Sequence, residues 1–291
     1  TQFSTKLLAG VPMEEQFVLP RLRYDVSFAS SWFMGIRFPS KLTGFYETFI
    51  EYKDKVETIE RFGINLSQLI RFDKRSYFET KSVWESFSDQ SATEKNIEQR
   101  SFALKINIDK KDDPLFTQKG YLLSGLFKSA GYVLGGNRDY FKVDLAIQYY
   151  TPIGKKSVFA TRIKLGRLWG WDSKFNDYSY EKFYLGGSTS MRGWEVLKFK
   201  KENGKPVGEI IRFMTNVEYR FPFYKSFGFT IFADGGLLAD PTKNNSSDSL
   251  EWDSGIGLTI LTPLGPARLD YAIQVNDPGK RKIQLGVQNL F

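Results

Sequence analysis

The chain has 291 residues, enough for one large domain or two small ones, with 41 Lys and Arg against 33 Asp and Glu, a net charge of +8. It has no cysteine and no histidine, which excludes disulfide scaffolds, thiolate metal sites, cysteine nucleophiles and histidine-based triads. Aromatic residues reach 16% and mean hydropathy is negative. No apolar run of about 18 residues offers a transmembrane helix, but a β-barrel hides its membrane signal by alternating apolar with polar residues.

The excess positive charge is scattered over alternate positions and turns rather than gathered in a block or a basic helix, so no nucleic-acid partner is expected. The chain opens on Thr1-Gln2-Phe3, without Met or a charged-then-apolar leader, and reads as processed or truncated. Residues 1–40 form an irregular segment with room for one or two strands, one of them over Arg21–Phe28.

From Lys41 onward the pattern is strand after strand, at approximately 41–53, 56–70, 75–88, 99–109, 120–130, 139–151, 157–169, 209–221, 226–235, 252–262, 266–275 and 281–291. Alternation with a period of two carries these assignments. Phe102, Leu104, Ile106 and Ile108 oppose Ala103, Lys105, Asn107 and Asp109. Phe141, Val143 and Leu145 oppose Lys142, Asp144 and Ala146. Ile211, Phe213, Thr215, Val217, Tyr219 and Phe221 oppose Arg212, Met214, Asn216, Glu218 and Arg220. Many of these strands reach ten residues, and about 9–11 tilted residues cross a bilayer. The pattern therefore predicts an all-β fold, a transmembrane antiparallel β-barrel over 41–291 that is apolar outside and polar within. A soluble antiparallel sandwich or lipocalin-like barrel is the competing architecture, with its apolar face inside.

Connections alternate in length. Phe72-Asp73-Lys74, Pro152-Ile153-Gly154-Lys155, Pro222-Phe223-Tyr224-Lys225 and Pro263-Leu264-Gly265-Pro266 are short turns, whereas 89–98, 131–138, 170–208 and 236–251 are longer or more polar. Outer-membrane barrels carry short periplasmic turns and long extracellular loops. Counting back from the C-terminus, 170–208 starts outside and Phe291 ends on the periplasmic side. Trp169, Trp171, Trp194 and Trp252 fall near predicted strand ends, where an aromatic girdle sits.

The most distinctive stretch is Gly186-Gly187-Ser188-Thr189-Ser190-Met191-Arg192-Gly193-Trp194. Two adjacent glycines permit a sharp turn, and one arginine stands among small and apolar residues, as a buried cation in need of an acidic partner. No catalytic constellation accompanies it. The glycine clusters lack a strand-to-helix setting for phosphate, Asp109, Asp112 and Asp113 read as a tight charged turn, and no cofactor or metal is expected.

This loop resembles the signature loop of the Omp85 superfamily, the assembly and secretion barrels that include the D15-type surface antigens. The family's Val-Arg-Gly-Phe/Tyr stands here as Met191-Arg192-Gly193-Trp194. Other stretches are similar to that family in the same order. These are the Asp109–Gly120 turn, with Thr117 where proline is usual, Phe232-Ala233-Asp234-Gly235-Gly236, the Gly255–Ala272 hairpin, and the terminal aromatic Phe291. The resemblance covers residues 98–291.

It implies a barrel of sixteen strands in which the loop after the eleventh folds back into the lumen and its arginine pairs with an acid on the inner wall. Five strands follow the loop here, as the family implies. Asp234 lies on the inward parity of its strand and is the expected partner, with Asp270 and Glu218 as further candidates. Missing front strands and periplasmic POTRA repeats are expected to precede Thr1, the alternative being a divergent short barrel. The resemblance further implies a non-enzymatic outer-membrane assembly factor that inserts β-barrel proteins without nucleotide hydrolysis. Its partners would be membrane lipid, nascent barrel clients, and accessory periplasmic or lipoprotein subunits. A two-partner polypeptide secretion pore and a barrel anchor for an absent N-terminal enzyme are the alternatives, with a passive porin behind them.

Overall fold

A computed structural model describes residues 2–10, 21–32, 35, 37–52, 56–88, 96–154, 156–170, 181–224, 226–243, 248–262 and 265–287. The strands are β1 (Gln2–Gly10), β2 (Arg21–Ser30), β3 (Ser40–Tyr52), β4 (Val56–Arg71), β5 (Tyr77–Ser88), β6 (Asn96–Asp109), β7 (Gly120–Ala130), β8 (Tyr140–Ile153), β9 (Ser157–Gly170), β10 (Lys201–Glu202), β11 (Lys205–Pro206), β12 (Ile211–Tyr224), β13 (Phe227–Ala239), β14 (Glu251–Thr262), β15 (Gly265–Gln274) and β16 (Arg281–Val287). Fourteen of them form one sheet in sequence order, β9 being followed directly by β12; β10 and β11 pair separately as a small hairpin. All twelve strands expected after residue 40 are present, and two more, β1 and β2, lie before it.

The differences are local. Pro222, Phe223 and Tyr224, expected as a turn, belong to β12, where a register shift between Pro222 and Tyr224 accommodates the proline. β13 continues through Gly235 and Gly236 to Ala239. The long loop after β9 contains the β10–β11 hairpin, which alternation over two residues cannot signal. Trp171 and Phe291 lie outside the described residues.

Burial along the strands runs opposite to that of a soluble sheet. On β13, Thr230, Phe232 and Asp234 are buried while Phe229 and Ile231 are exposed, Ile231 by 54%. On β8, Tyr140, Ala146 and Tyr150 are buried while Ile147 and Tyr149 are exposed. A polar inward face opposite an exposed aliphatic and aromatic face is the arrangement that lipid selects. No described helix is long and apolar enough to cross a membrane.

The chain divides into two compact units. In the first, comprising 1–106, 126–141 and 170–176, β1 to β5 pair antiparallel from Gln2 opposite Ala29 through Arg71 opposite Tyr77. Its polar face interleaves cations, rings and carboxylates. Arg23 lies 4.4 Å from the Phe45 ring centre, Arg61 lies between the Phe45 and Phe87 rings, and both arginines reach Glu47. Arg61 also pairs with Glu85, which accepts from Gln99 at 2.7 Å. Each buried charge therefore meets an opposite charge or a ring face, the condition for keeping it away from water.

The second unit comprises 107–125, 142–169 and 177–291. In it, β9 pairs with β12, and β12 to β16 follow in antiparallel order. The turn after β6 is built on carboxylates that accept backbone N–H groups. Asp112 accepts from Gln118 at 3.0 Å, Asp113 from Phe116 at 2.7 Å, and Asp109 from Lys111 at 3.0 Å. Thr117, where the family pattern has proline, donates its hydroxyl to the Asp113 carbonyl at 2.6 Å.

Candidate functional site

The loop between β9 and β12 lies on the polar face of the second unit. Its neck is closed by Phe183 and Glu209, which exchange backbone hydrogen bonds at 2.9 and 3.0 Å. The Phe183 ring is flanked by Lys142 at 4.8 Å and Arg212 at 4.7 Å. Arg212 pairs with Asp144, and Lys142 with Glu181 at 3.2 Å.

Beyond the neck the chain coils tightly. Gly187 N donates to the carbonyls of Met191 and Trp194, both at 3.1 Å, and Ser190 Oγ bridges the N–H and carbonyl of Gly186. Gly186 has φ +115 and Gly187 φ +93, a region that side chains with a Cβ avoid. A Cβ at Gly186 would collide with the Glu195 carbonyl. Gly193 carries the same message by proximity, since a Cβ there would lie 2.8 Å from that of Asp253. Met191 is fully buried against Gly236, while Trp194 packs on Phe199 with ring centres 5.0 Å apart. Trp194 is therefore a loop-packing residue, not part of a girdle.

This coil delivers Arg192 into a site with no solvent exposure. Nε donates to Asp234 Oδ2 and Nη2 to Asp234 Oδ1, both at 2.7 Å, in the two-pronged geometry of a guanidinium on a carboxylate. Nη1 donates to Glu218 Oε1 at 2.7 Å and lies 3.6 Å from Asp270 Oδ2. The guanidinium carbon sits 3.4 Å from the centre of the Phe232 ring. The three acids considered from the sequence thus meet at one cation, Asp234 twice, Glu218 once and Asp270 at longer range. Burial works against the charge, but Asp234 and Glu218 outweigh it and push the guanidinium far above its ordinary range.

Around the arginine, further residues that the sequence did not single out fasten the loop backbone. Arg162 donates to Asn216 Oδ1 and to the Thr189 carbonyl at 2.9 Å, and Asn216 donates to Ser190 O and Asp234 Oδ1. Arg268 holds the Ser188 carbonyl at 2.9 Å and stands 2.6 Å from Asp270. Asp253 accepts Gly193 N–H at 2.9 Å, and Gln274 and Gln284 donate to the Gly193 and Trp194 carbonyls. Lys282 reaches Glu195 at 2.8 Å. The loop is thereby tied to β9 and to each of β12 to β16. Parity put these residues on the inner face, but only strand register shows which of them share a row.

The arrangement clamps the loop to the strands. Among the described residues no three metal-ligating side chains gather, and the acids around Arg192 face arginines. A buried ion cluster of this kind fixes one geometry, because removing one partner strands the others without water.

The Omp85 superfamily domain pattern matches residues 20–289. The outer membrane protein assembly factor BamA of Nitratidesulfovibrio vulgaris is 25% identical over 176 residues, 58% of this chain and 22% of that protein. The sorting and assembly machinery component 50 homolog of Mus musculus is 26% identical over 200 residues, 62% of this chain and 42% of that protein. The matched part thus spans less than half the length of these curated relatives. Among solved structures, BamA from Haemophilus ducreyi lacking POTRA domains 1–3 superposes with a TM-score of 0.73 at 14% identity, covering 91% of this chain and 60% of that one. CdiB from Acinetobacter baumannii gives 0.54 at 11% identity, covering 92% and 49%. With its polar face turned inward and the family pattern matched over almost all of its length, this chain belongs to the Omp85 superfamily and is an outer-membrane β-barrel protein.

Proposed function

We propose that the chain is the membrane domain of an outer-membrane assembly factor that folds and inserts other β-barrel proteins without nucleotide hydrolysis. The observation that carries this reading is the clamped loop. Arg192 and its neighbours bind the inner faces of β12 to β15, and Glu195 and Trp194 extend the attachment to β16 through Lys282 and Gln284. The clamp holds the strands next to the C-terminal edge in one arrangement, while the edge itself offers backbone donors and acceptors to an incoming strand. Among the described residues β16 has one hydrogen-bonded neighbour, β15. The similarity to BamA and to the component 50 homolog supports the same reading.

In this account Gly186, Gly187, Met191, Gly193 and Trp194 shape the loop, Arg192 locks it, and Asp234 is its principal acid. Phe291 would end the client-facing strand. The clients are nascent outer-membrane barrels, and accessory periplasmic or lipoprotein subunits deliver them. The test is reconstitution of the full-length protein in lipid vesicles, followed by addition of a urea-unfolded outer-membrane barrel. Folding faster than in empty vesicles, without nucleotide and slowed by Arg192→Ala, is expected. Equal rates in loaded and empty vesicles would sink the proposal.

A second reading, a two-partner secretion pore, is left open by the fold likeness to CdiB. It predicts export of an unfolded polypeptide across the vesicle wall in the same preparation, with no gain in barrel folding.

A further inference from the structure

Charge is balanced over one part of the first unit's inward face and unbalanced over another. Away from the turn between β4 and β5, Glu47 and Glu85 lie buried beneath Arg23 and Arg61, so each acid meets a guanidinium. Toward that turn the same face carries Lys41, Arg71, Lys81 and Lys105, all exposed. Register places Lys41 opposite Ser67 and Ser67 opposite Lys81, so two lysines flank one serine in a single row. Arg71 ends β4 opposite Tyr77, and Lys105 lies 5.6 Å from the centre of the Tyr77 ring.

Among the described residues none of these four cations forms an ion pair. Glu79, which attracts Lys81, is the one acid on this part of the face among the described residues of the unit. Asp73, in the turn, is occupied by the backbone N–H groups of Arg75 and Ser76, at 2.9 and 2.6 Å. The turn also adds an exposed Lys74. Where the rest of this wall pairs its buried charges, this end presents cations to water and leaves them for an anion to meet.

The patch is wider than a small anion. From β3 to β6 is three strand spacings, about 14 Å, and from Ser67 to Arg71 is four residues, about 13 Å along the strand. An extended chain with acids at alternate positions presents carboxylates on one side at intervals of about 7 Å, which matches both dimensions. We infer that this patch binds an acidic stretch of unfolded polypeptide, its Asp and Glu side chains meeting Lys41, Arg71, Lys81 and Lys105. The short β4–β5 turn marks this end as periplasmic, the side on which such a chain arrives. The inference rests on a polypeptide cargo, which the assembly and secretion readings share, and requires neither folding nor export to take place.

The test is binding alone. The full-length protein in phosphatidylcholine nanodiscs is titrated at low salt with a dye-labelled peptide of alternating Glu and Ser, read by fluorescence anisotropy, with a Gln and Ser peptide as control. Wild type is expected to bind the Glu peptide about tenfold more tightly, the sum of several individually weak exposed pairs. The gap should close in about 1 M salt, where charges are screened over roughly 3 Å. Lys41→Gln combined with Lys81→Gln should weaken the Glu peptide on the order of fivefold, whereas Lys201→Gln in the β10–β11 hairpin should leave it unchanged. Lys41→Glu combined with Lys81→Glu should turn the preference toward a Lys and Ser peptide. Equal binding of the Glu and Gln peptides would overturn the inference. So would unchanged affinity in the doubly substituted proteins, or displacement of the peptide by inorganic phosphate at the peptide's own concentration, which marks a small-anion site. A protein that binds the Glu peptide but does not speed barrel folding counts against the assembly reading alone.

Discussion

Asp234 and Asp253 stand directly opposite each other on β13 and β14, both fully buried, and only Asp234 holds the arginine. Asp234 accepts two guanidinium hydrogen bonds and one from Asn216, whereas Asp253 accepts Gly193 N–H on Oδ2 and has an unpartnered Oδ1. Their isosteric amides are therefore expected to behave differently. Asp234→Asn strands a buried guanidinium and should lower stability by about 3–5 kcal/mol. Asp253→Asn keeps an acceptor for Gly193 and leaves the guanidinium with Asp234 and Glu218, so its change should stay within about 1 kcal/mol of neutral. Urea midpoints in lipid, followed by loss of the heat-modifiable electrophoretic form, compare the two; equal losses would refute the asymmetry.

Arg192 is predicted to be more than a charge. Its fork spans Asp234 and Glu218 while its flat face rests on Phe232. Lysine offers a single ammonium point and no plane. Arg192→Lys should thus recover only part of the stability lost in Arg192→Ala. In a double-mutant cycle, Arg192→Ala and Asp234→Ala should fall short of additivity by roughly 1–3 kcal/mol. Additive losses would mean that the two residues act apart.

The glycines allow a test of backbone against charge. At Gly186 an alanine would combine positive φ with collision against the Glu195 carbonyl, whereas at Gly204, with φ +77, nothing lies within 4 Å of an added Cβ. Gly204→Ala should cost only left-handed strain, roughly 1–2 kcal/mol. Gly186→Ala should cost more and should open the coil, seen as faster proteolysis within 181–210 while the strands stay protected. Equal proteolysis of the two variants would remove the steric argument.

The strands could be read because each carries its own signal. In β12, Phe213 to Phe221 alternates against Met214 to Arg220 without interruption, and lipid outside with polar residues inside demands that pattern. The inward parity of Asp234, Glu218 and Asp270 follows from the same rule. What alternation does not contain is register. Asn216, Asp234, Asp253 and Gln274 form one row only because β12 to β15 pair as they do, and each hairpin sets its own offset. Arg162, Asn216, Asp253 and Gln274 therefore stayed invisible as a set, although each was individually on the inner face. β1 carries no readable range for a different reason, since Leu7, Leu8 and Ala9 run together and break its alternation.

Glu195 gives the loop a dependence on acid. Hydrogen bonds from Lys282, at 2.8 Å, and Lys198, at 3.0 Å, hold its carboxyl at about 2, against an ordinary value of 4.5, and outweigh a small effect of burial. A carboxyl whose folded value is depressed stabilises the folded state fully above its unfolded value and loses that contribution as pH falls through the folded one. The attachment of Glu195 to β16 should accordingly hold above pH 4.5 and weaken progressively toward about pH 2. The side chain is 44% exposed, so solvent and salt screen the pair and the effect is local rather than global. Hydrogen exchange of residues 194–200 should rise across that window beyond the intrinsic pH trend, and Glu195→Gln should show the higher protection-corrected exchange above the window, the two curves converging toward about pH 2. If wild type and Glu195→Gln trace the same curve, the Lys282 contact does not hold the loop.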